Sequence, residues 1–136
     1  MGTRSLTRVH VGDEKSSTVA SIYRQMDGYF EGMGTDLKEF LDQYKIINGI
    51  GMDDGSKKRA NGMQCLAAQL IAHFKDDAGV GGIYMTTPDD EQEYNYDIYL
   101  EQTGKGLKLR LKGVGDYDNK VKKFTLKTEV ATGVFC

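Results

Sequence analysis

The chain has 136 residues, of which 39% are hydrophobic, and 18 Lys and Arg stand against 20 Asp and Glu. This length suits one domain, residues 1–136, and leaves too little chain for a second independent core. The near balance of charge gives no overall attraction to nucleic acid or to anionic lipid, so neither is expected as a partner.

Two strands are predicted at residues 3–11 and 18–26, joined by a polar turn at residues 12–17. Their faces mix charged, aromatic and apolar residues: Arg4, Leu6, Arg8 and His10 on the first strand, Tyr23 and Gln25 on the second. Such mixed faces are typical of a sheet that meets a ligand or partner on its outer side, and also of edge strands.

Two helices are predicted next. A glycine-rich loop at residues 27–36 leads into a helix that reaches Ile47, with Thr35 or Asp36 as its N-cap. Its apolar stripe consists of Leu37, Phe40, Leu41, Tyr44 and Ile47. After a polar loop, a second helix is predicted over residues 62–77, with Asn61 as a plausible cap.

Further strands are predicted at residues 83–87, 93–102, 107–112 and 122–130. Residues 107–112 alternate leucine with lysine or arginine, which is the cleanest strand pattern in the chain. The element order is therefore ββααβββ(β). We predict an α+β fold with an antiparallel sheet of five or six strands and two helices on one face.

Residues for catalysis or metal binding do not form a recognisable motif. Cys65 and His73 lie eight residues apart on the second helix, about 12 Å along its axis, too far for a Cys–His dyad. The two histidines, His10 and His73, lack metal-binding spacing, so no metal and no cofactor are expected. Two cysteines, Cys65 and Cys136, make no disulfide framework, and the absence of a hydrophobic signal region or membrane-spanning run predicts a cytoplasmic protein.

Glycine-led helix starts suggest a cradle for an anion. Free backbone N–H groups at a helix start favour negative charge, and the loop before each predicted helix is rich in glycine. Arg4 and Arg24 could contact phosphate, and Tyr23 and Tyr29 could stack on a base. Glycine loops before helices are also common without a ligand, so caps and turns are the alternative interpretation.

Two other interpretations stay open. Asp27, Glu31 and Asp36 lie in one loop and could converge as a carboxylate site, although turn and cap roles are commoner for such residues. The basic residues of 108–127 could meet nucleic acid. A solvated outer strand face explains them better, because aromatic residues are not interleaved with the lysines.

Three segments resemble a family of small, largely uncharacterised proteins from phages and large DNA viruses. They are residues 1–7 (MGTRSLT), residues 23–29 (YRQMDGY) and residues 61–70 (NGMQCLAAQL). Gly32, Gly34 and the segment Gly82-Ile83-Tyr84 follow at matching places. The resemblance covers roughly residues 1–100 and does not extend beyond residue 112.

The resemblance implies, by analogy with other small phage proteins, a viral anti-defence sponge. Such a protein sequesters a nucleotide immune signal, a cyclic nucleotide or an ADP-ribose derivative, in the host cytoplasm without cleaving it, and a homo-oligomer is expected. The expected ligand-binding residues are Arg4, Tyr23, Arg24, Gln25, Asp27, Gly28, Tyr29, Gly34, Thr35, Asn61, Gly62 and Gln64. The alternatives are an enzyme that degrades such a nucleotide with Asp27 or Glu31 as base, and an inhibitor that binds a host protein.

Overall fold

The computed structural model of the protein describes residues 2–49, 58–76, 82–115 and 119–134. In chain order the elements are β1 (Ser5–His10), β2 (Thr18–Arg24), a π-helical turn (Phe30–Gly34), α1 (Thr35–Leu41), β3 (Tyr44–Ile47), β4 (Lys58–Asn61), α2 (Gly62–Asp76), β5 (Ile83–Met85), β6 (Tyr94–Thr103), β7 (Gly106–Gly115), β8 (Val121–Phe124) and β9 (Glu129–Val130). The fold is α+β, as predicted.

The strands form two sheets. The main sheet has six strands in the order β5-β2-β1-β6-β7-β8, and the smaller one has three in the order β4-β3-β9. In the main sheet β1 pairs with β6 in parallel, and the other neighbours are antiparallel. Both pairings in the smaller sheet are parallel.

The core lies between one face of the main sheet and the helices. Val9, Ile22 and Ile98 of the sheet belong to the same buried cluster as Leu37 of α1 and Leu66 of α2. The π-helical turn joins this core through Phe30, whose ring meets Tyr94 edge-on at 5.0 Å between centroids. Both helices therefore lie on one face of the main sheet, as predicted, and the other face carries Arg8, Asp97 and Lys112.

The prediction of an antiparallel sheet was wrong, and so was the order ββααβββ(β). The sheet is mixed, because β1 pairs in parallel with β6 rather than lying at an edge. Arg8 of β1 and Asp97 of β6 are 89 residues apart, and no local pattern indicates contacts over that separation. The predicted last strand at residues 122–130 is two strands in different sheets, β8 and β9.

The first helix is shorter than predicted. It ends at Leu41, and residues Tyr44–Ile47, which we expected in its last turns, form β3. Tyr44 and Ile46 are buried while their neighbours are less so, which is the period of a strand. The second helix begins at Gly62 as predicted, and its predicted end at residue 77 lies one position outside the described residues.

Candidate functional site

One row of charged side chains crosses the face of the main sheet that is turned away from the helices. Arg8 of β1 pairs with Asp97 of β6, Asp97 pairs with Lys112 of β7, and Lys112 pairs with Lys123 of β8. Because neighbouring strands lie about 4.8 Å apart, these side chains are close neighbours. We call Arg8, Asp97, Lys112 and Lys123 the charged row.

Asp97 is the buried centre of this row. Its Oδ1 accepts bonds from Arg8 Nε at 3.0 Å and from His10 Nε2 at 2.7 Å, and its Oδ2 accepts from Arg8 Nη2 at 3.2 Å. Burial disfavours the ionised carboxyl, but the hydrogen bond from His10 and the charge of Arg8 outweigh it and lower the pKa of Asp97. Asp97 is therefore a carboxylate held between two cations.

His10 has acceptors on both ring nitrogens. Nδ1 lies 3.0 Å from the carbonyl oxygen of Ser16, and Nε2 faces Asp97. A carbonyl oxygen only accepts and a carboxylate only accepts, so the imidazolium, with two N–H donors, satisfies both contacts. The hydrogen bond to Asp97 raises the pKa of His10, although burial opposes this, and the bond to Ser16 adds to the increase. His10 thus serves as a second fixed cation beside Arg8.

A cavity of about 470 Å³ opens above these residues. Arg8, His10, Asp97 and Lys112 line it, together with Glu14, Thr18, Pro88 and Val114. Its volume lies within the usual range of small-ligand sites, roughly 300–1,000 Å³. Its three cations, Arg8, His10 and Lys112, outnumber its two acids, Glu14 and Asp97, which favours an anionic guest.

Glu14 contacts the charged row through Lys112. It lies in the turn between β1 and β2, and its carboxylate forms an ion pair with the ammonium of Lys112. Burial lowers the pKa of Lys112, and the positive charges of Lys123 and Arg8 lower it further. Lys112 therefore lies beside other cations, and the carboxylates of Glu14 and Asp97 offset part of this positive charge.

His10 is not placed to act as a general base in this arrangement. In a His–base mechanism one ring nitrogen must face the substrate, whereas both nitrogens of His10 face protein acceptors. Among the residues that the structure describes, no group of three or more His, Cys, Asp or Glu could hold a metal ion. The arrangement is chemically suited to holding an anion by charge.

The predicted residues at the end of β2 and in the glycine-rich loop lie together, and Arg24 and Tyr29 among them are hydrogen-bonded within the protein. Arg24 donates from Nε to the Met26 carbonyl oxygen at 2.9 Å and from Nη1 to Asp36 Oδ2 at 2.8 Å. Tyr29 donates its hydroxyl to Asp27 at 3.2 Å. Exposed side chains at this end of the sheet are Arg4, Gln25, Asp27 and Tyr29.

The predicted first helix start is not free. The N-cap prediction of Thr35 or Asp36 was wrong, because the π-helical turn runs into α1 and gives Gly34 helical angles, φ −58° and ψ −48°. The backbone N–H of Thr35 is already bonded to carbonyl oxygens of that turn. Gly34 packs closely against Phe124 and Tyr96 of the core. Neither residue exposes the N–H groups that an anion cradle requires.

The second helix start lies far from the first group. Asn61 accepts the backbone N–H of Gly49 at 2.7 Å, and Gly62 takes φ +80°, which favours glycine. At the other end of α2, Lys75 donates to the carbonyl oxygen of Ile83, and Ile83 pairs with Arg24. The rise from Gly62 to Lys75 is roughly 20 Å.

Gln64 is exposed on the first turn of α2, so Asn61, Gly62 and Gln64 form a group apart from Tyr23 and the loop. The ring of Tyr23 lies instead beside that of Tyr84 of β5, tilted by 31°, with 6.1 Å between ring centroids. The twelve predicted residues therefore do not share one cavity in the described part of the chain. Their role in binding stays a prediction.

Two residues of the cavity, Arg8 and His10, are identified from the sequence without a predicted role in binding. Arg8 and His10 share one face of the first predicted strand, but Asp97 and Lys112 lie on later strands whose pairing with the first was not predicted. The signal that could have joined them is the alternation of polar residues on both β1 and β6. The sequence pattern does not show that these two strands pair in parallel.

The described helices are all too short or too polar to span a bilayer. No protein-family model, curated protein or solved structure matches the chain.

Proposed function

We propose that the protein binds a small phosphorylated molecule of nucleotide type in this cavity and holds it without cleaving it. The observation that carries the proposal is the convergence of Arg8, His10 and Lys112 on one cavity of ligand size. Phosphate groups are strong acceptors with high charge density, and arginine and lysine are the residues that most often bind them.

Arg8 retains donors for such a guest. Its guanidinium has five N–H groups, and three bonds, two to Asp97 and one to the carbonyl oxygen of Pro88, hold it in place. A guanidinium fixed in this way loses little side-chain entropy when a phosphate binds to the remaining N–H groups. His10 contributes charge, because its own donors are engaged.

Sequestration fits these residues better than turnover. The cavity has fixed cations, and its one histidine has no free ring nitrogen to accept a proton. The resemblance to small phage and large-DNA-virus proteins adds the biological proposal. In it the protein acts in the host cytoplasm, where it captures a cyclic nucleotide or an ADP-ribose derivative made for antiviral defence.

Two matched variants test the proposal and locate the site. Arg8→Gln and Arg24→Gln each remove one strand arginine, and titration calorimetry measures binding of ADP-ribose and of cyclic mono- and dinucleotides. We expect a ligand in this panel to bind the native protein with a Kd below 1 micromolar. Arg8→Gln should weaken that binding about thirtyfold, on the scale of about 2 kcal/mol for a charge-assisted bond, and Arg24→Gln should not.

Other results separate the alternatives. Loss of binding in Arg24→Gln alone would move the site to the predicted loop, and no binding across the panel would count against sequestration. Mass spectrometry of the ligand released by denaturation should return it intact. Recovery of a cleaved product would favour the enzyme instead.

A further inference from the structure

The ion pair between Glu14 and Lys112 places an anion of the protein itself in the cavity. Glu14 lines the cavity together with Arg8, His10 and Lys112, and its carboxylate is the group bonded to the Lys112 ammonium. The pair joins the turn after β1 to the middle of β7, 98 residues further along the chain. Lys112 is thus engaged by an acid from another element.

We propose that Glu14 is an internal competitor of the ligand: its carboxylate occupies the place on Lys112 that the ligand's anionic group takes. This inference rests on the proposed function and adds how its site is controlled. Binding then exchanges one ion pair for another, and the affinity measured is the intrinsic affinity reduced by the occupancy of Lys112.

The exchange requires only the side chain of Glu14 to move. The turn backbone is tied by the bond of Gly12 N–H to Ser16 Oγ and by that of Leu100 N–H to the Gly12 carbonyl oxygen. Ser16 also accepts from His10, so the turn is anchored to the floor of the cavity. The side chain of Glu14 is 41% exposed and can turn into solvent at small cost.

Charge favours the exchange. The pyrophosphate of ADP-ribose or the two phosphates of a cyclic dinucleotide bring more negative charge than one carboxylate, because both phosphate groups are ionised at pH 7. Lys112 lies near two further cations, Arg8 and Lys123. The neighbouring Asp97 is already bonded to Arg8 and His10, so the local cations still outnumber the acids. The released Glu14 regains full hydration, so little is lost when its pair is broken.

The test is a double-mutant cycle on ADP-ribose binding, or on the tightest nucleotide of the panel, followed by calorimetry. Glu14→Gln removes the competing charge at nearly constant size, and we expect about fivefold tighter binding, equal to about 1 kcal/mol at 25 °C. Asp13→Asn, one residue away in the same turn, makes the same change of net charge without contacting Lys112, and should alter binding less than about twofold.

The second arm identifies Lys112 as the place of competition. In a Lys112→Gln background, Glu14→Gln should give no further gain, because its partner is gone. A gain that persists there, or one that Asp13→Asn matches, would overturn the inference in favour of general electrostatics.

The failure of this inference can be told from failure of the proposed function. Suppose that the native protein binds the nucleotide and that Arg8→Gln weakens this binding. An unchanged affinity in Glu14→Gln then rejects competition by Glu14 and leaves the proposed function standing. If neither the native protein nor Glu14→Gln binds any member of the panel, both proposals fall. Binding by Glu14→Gln alone supports a competitor strong enough to close the site.

Discussion

Asp97 shows what one buried carboxylate does for its neighbours. Its side chain is only 10% exposed, and it forms ion pairs with both Arg8 and His10. A buried ion pair is a weak source of net stability, because desolvation offsets the attraction. Removing only one partner is different, since the remaining charges stay buried without compensation. The cations of the cavity are therefore held in place by a residue that repels the proposed ligand.

Asp97→Asn should lower the free energy of unfolding by about 3 kcal/mol, the scale for breaking a buried pair from one side. Glu101→Gln is the matched control on the same strand, because Glu101 pairs with Arg110 at 2.8 Å but is half exposed. It should cost at most about 0.5 kcal/mol. Urea denaturation measures both, and equal losses would show that burial of Asp97 has no part in its effect.

The residues of the cavity were only partly predictable for a physical reason. Arg8 and His10 are two positions apart, so their common face follows from the strand period. Asp97 has the same polar alternation on its own strand, but which strand lies beside it depends on the packing of the whole sheet. The predicted roles of Arg24 and Thr35 did not include the partners that they contact in the structure, Asp36 and the π-helical turn.

The π-helical turn and the loop before it show that the glycines there serve packing. A Cβ on Gly28 would lie 2.8 Å from the backbone carbon of Arg4, closer than real Cβ contacts. Gly28 also donates its N–H to the Thr3 carbonyl oxygen at 2.9 Å and accepts the Tyr96 hydroxyl at 2.6 Å. Burial raises the pKa of Tyr96 and keeps that hydroxyl a neutral donor. The glycine is required because backbone meets backbone.

Gly28→Ala should therefore destabilise the fold by about 2 kcal/mol, in the usual range for overpacking. Gly104→Ala in the β6–β7 hairpin is the control, because a Cβ there meets nothing within 4 Å. It should change stability by less than about 0.5 kcal/mol. Thermal unfolding of both variants gives the comparison. An unaffected Gly28→Ala would leave the anion cradle as the better account of that glycine.

Helices and strands differed in how well the sequence predicted them. The start of α2 agrees with its prediction, because its apolar stripe persists over several turns. The predicted first helix was extended too far. Tyr44 and Ile47 have the spacing of its apolar stripe, but Tyr44 and Ile46 have the spacing of a strand equally well. Residues Tyr44–Ile47 form a strand because β3 pairs with β4 on one side and with β9 on the other. The local sequence pattern does not indicate these distant partners.

At the scale of the whole molecule, His10 couples stability to pH. Its pKa is raised in the folded protein above the usual 6.5, so its interactions contribute fully below that value. This contribution is lost as the pH rises from about 6.5 through the folded pKa. Asp97 acts with the opposite sign at the acid end, where its lowered pKa makes stability fall as the pH drops below about 4.

The midpoint of thermal unfolding should thus decrease as the pH rises above about 6.5, and His10→Gln should flatten this part of the profile. Ligand affinity should follow the same trend, because the cavity loses one cation. Scanning calorimetry between pH 5.5 and 9 measures the profile. A native profile that is level there, or one that His10→Gln leaves unchanged, would contradict the charge state inferred for His10.

The parallel pairing of β1 with β6 has a consequence during synthesis. When β1 leaves the ribosome, its parallel neighbour β6 has not yet been synthesised. The carboxylate that pairs with Arg8 lies 89 residues further along the chain. Lys112 is synthesised later still. A chain that stops before β6 therefore lacks both Asp97 and Lys112, and its cavity cannot form. If the proposed function is correct, ligand binding therefore requires a chain whose translation has passed β7.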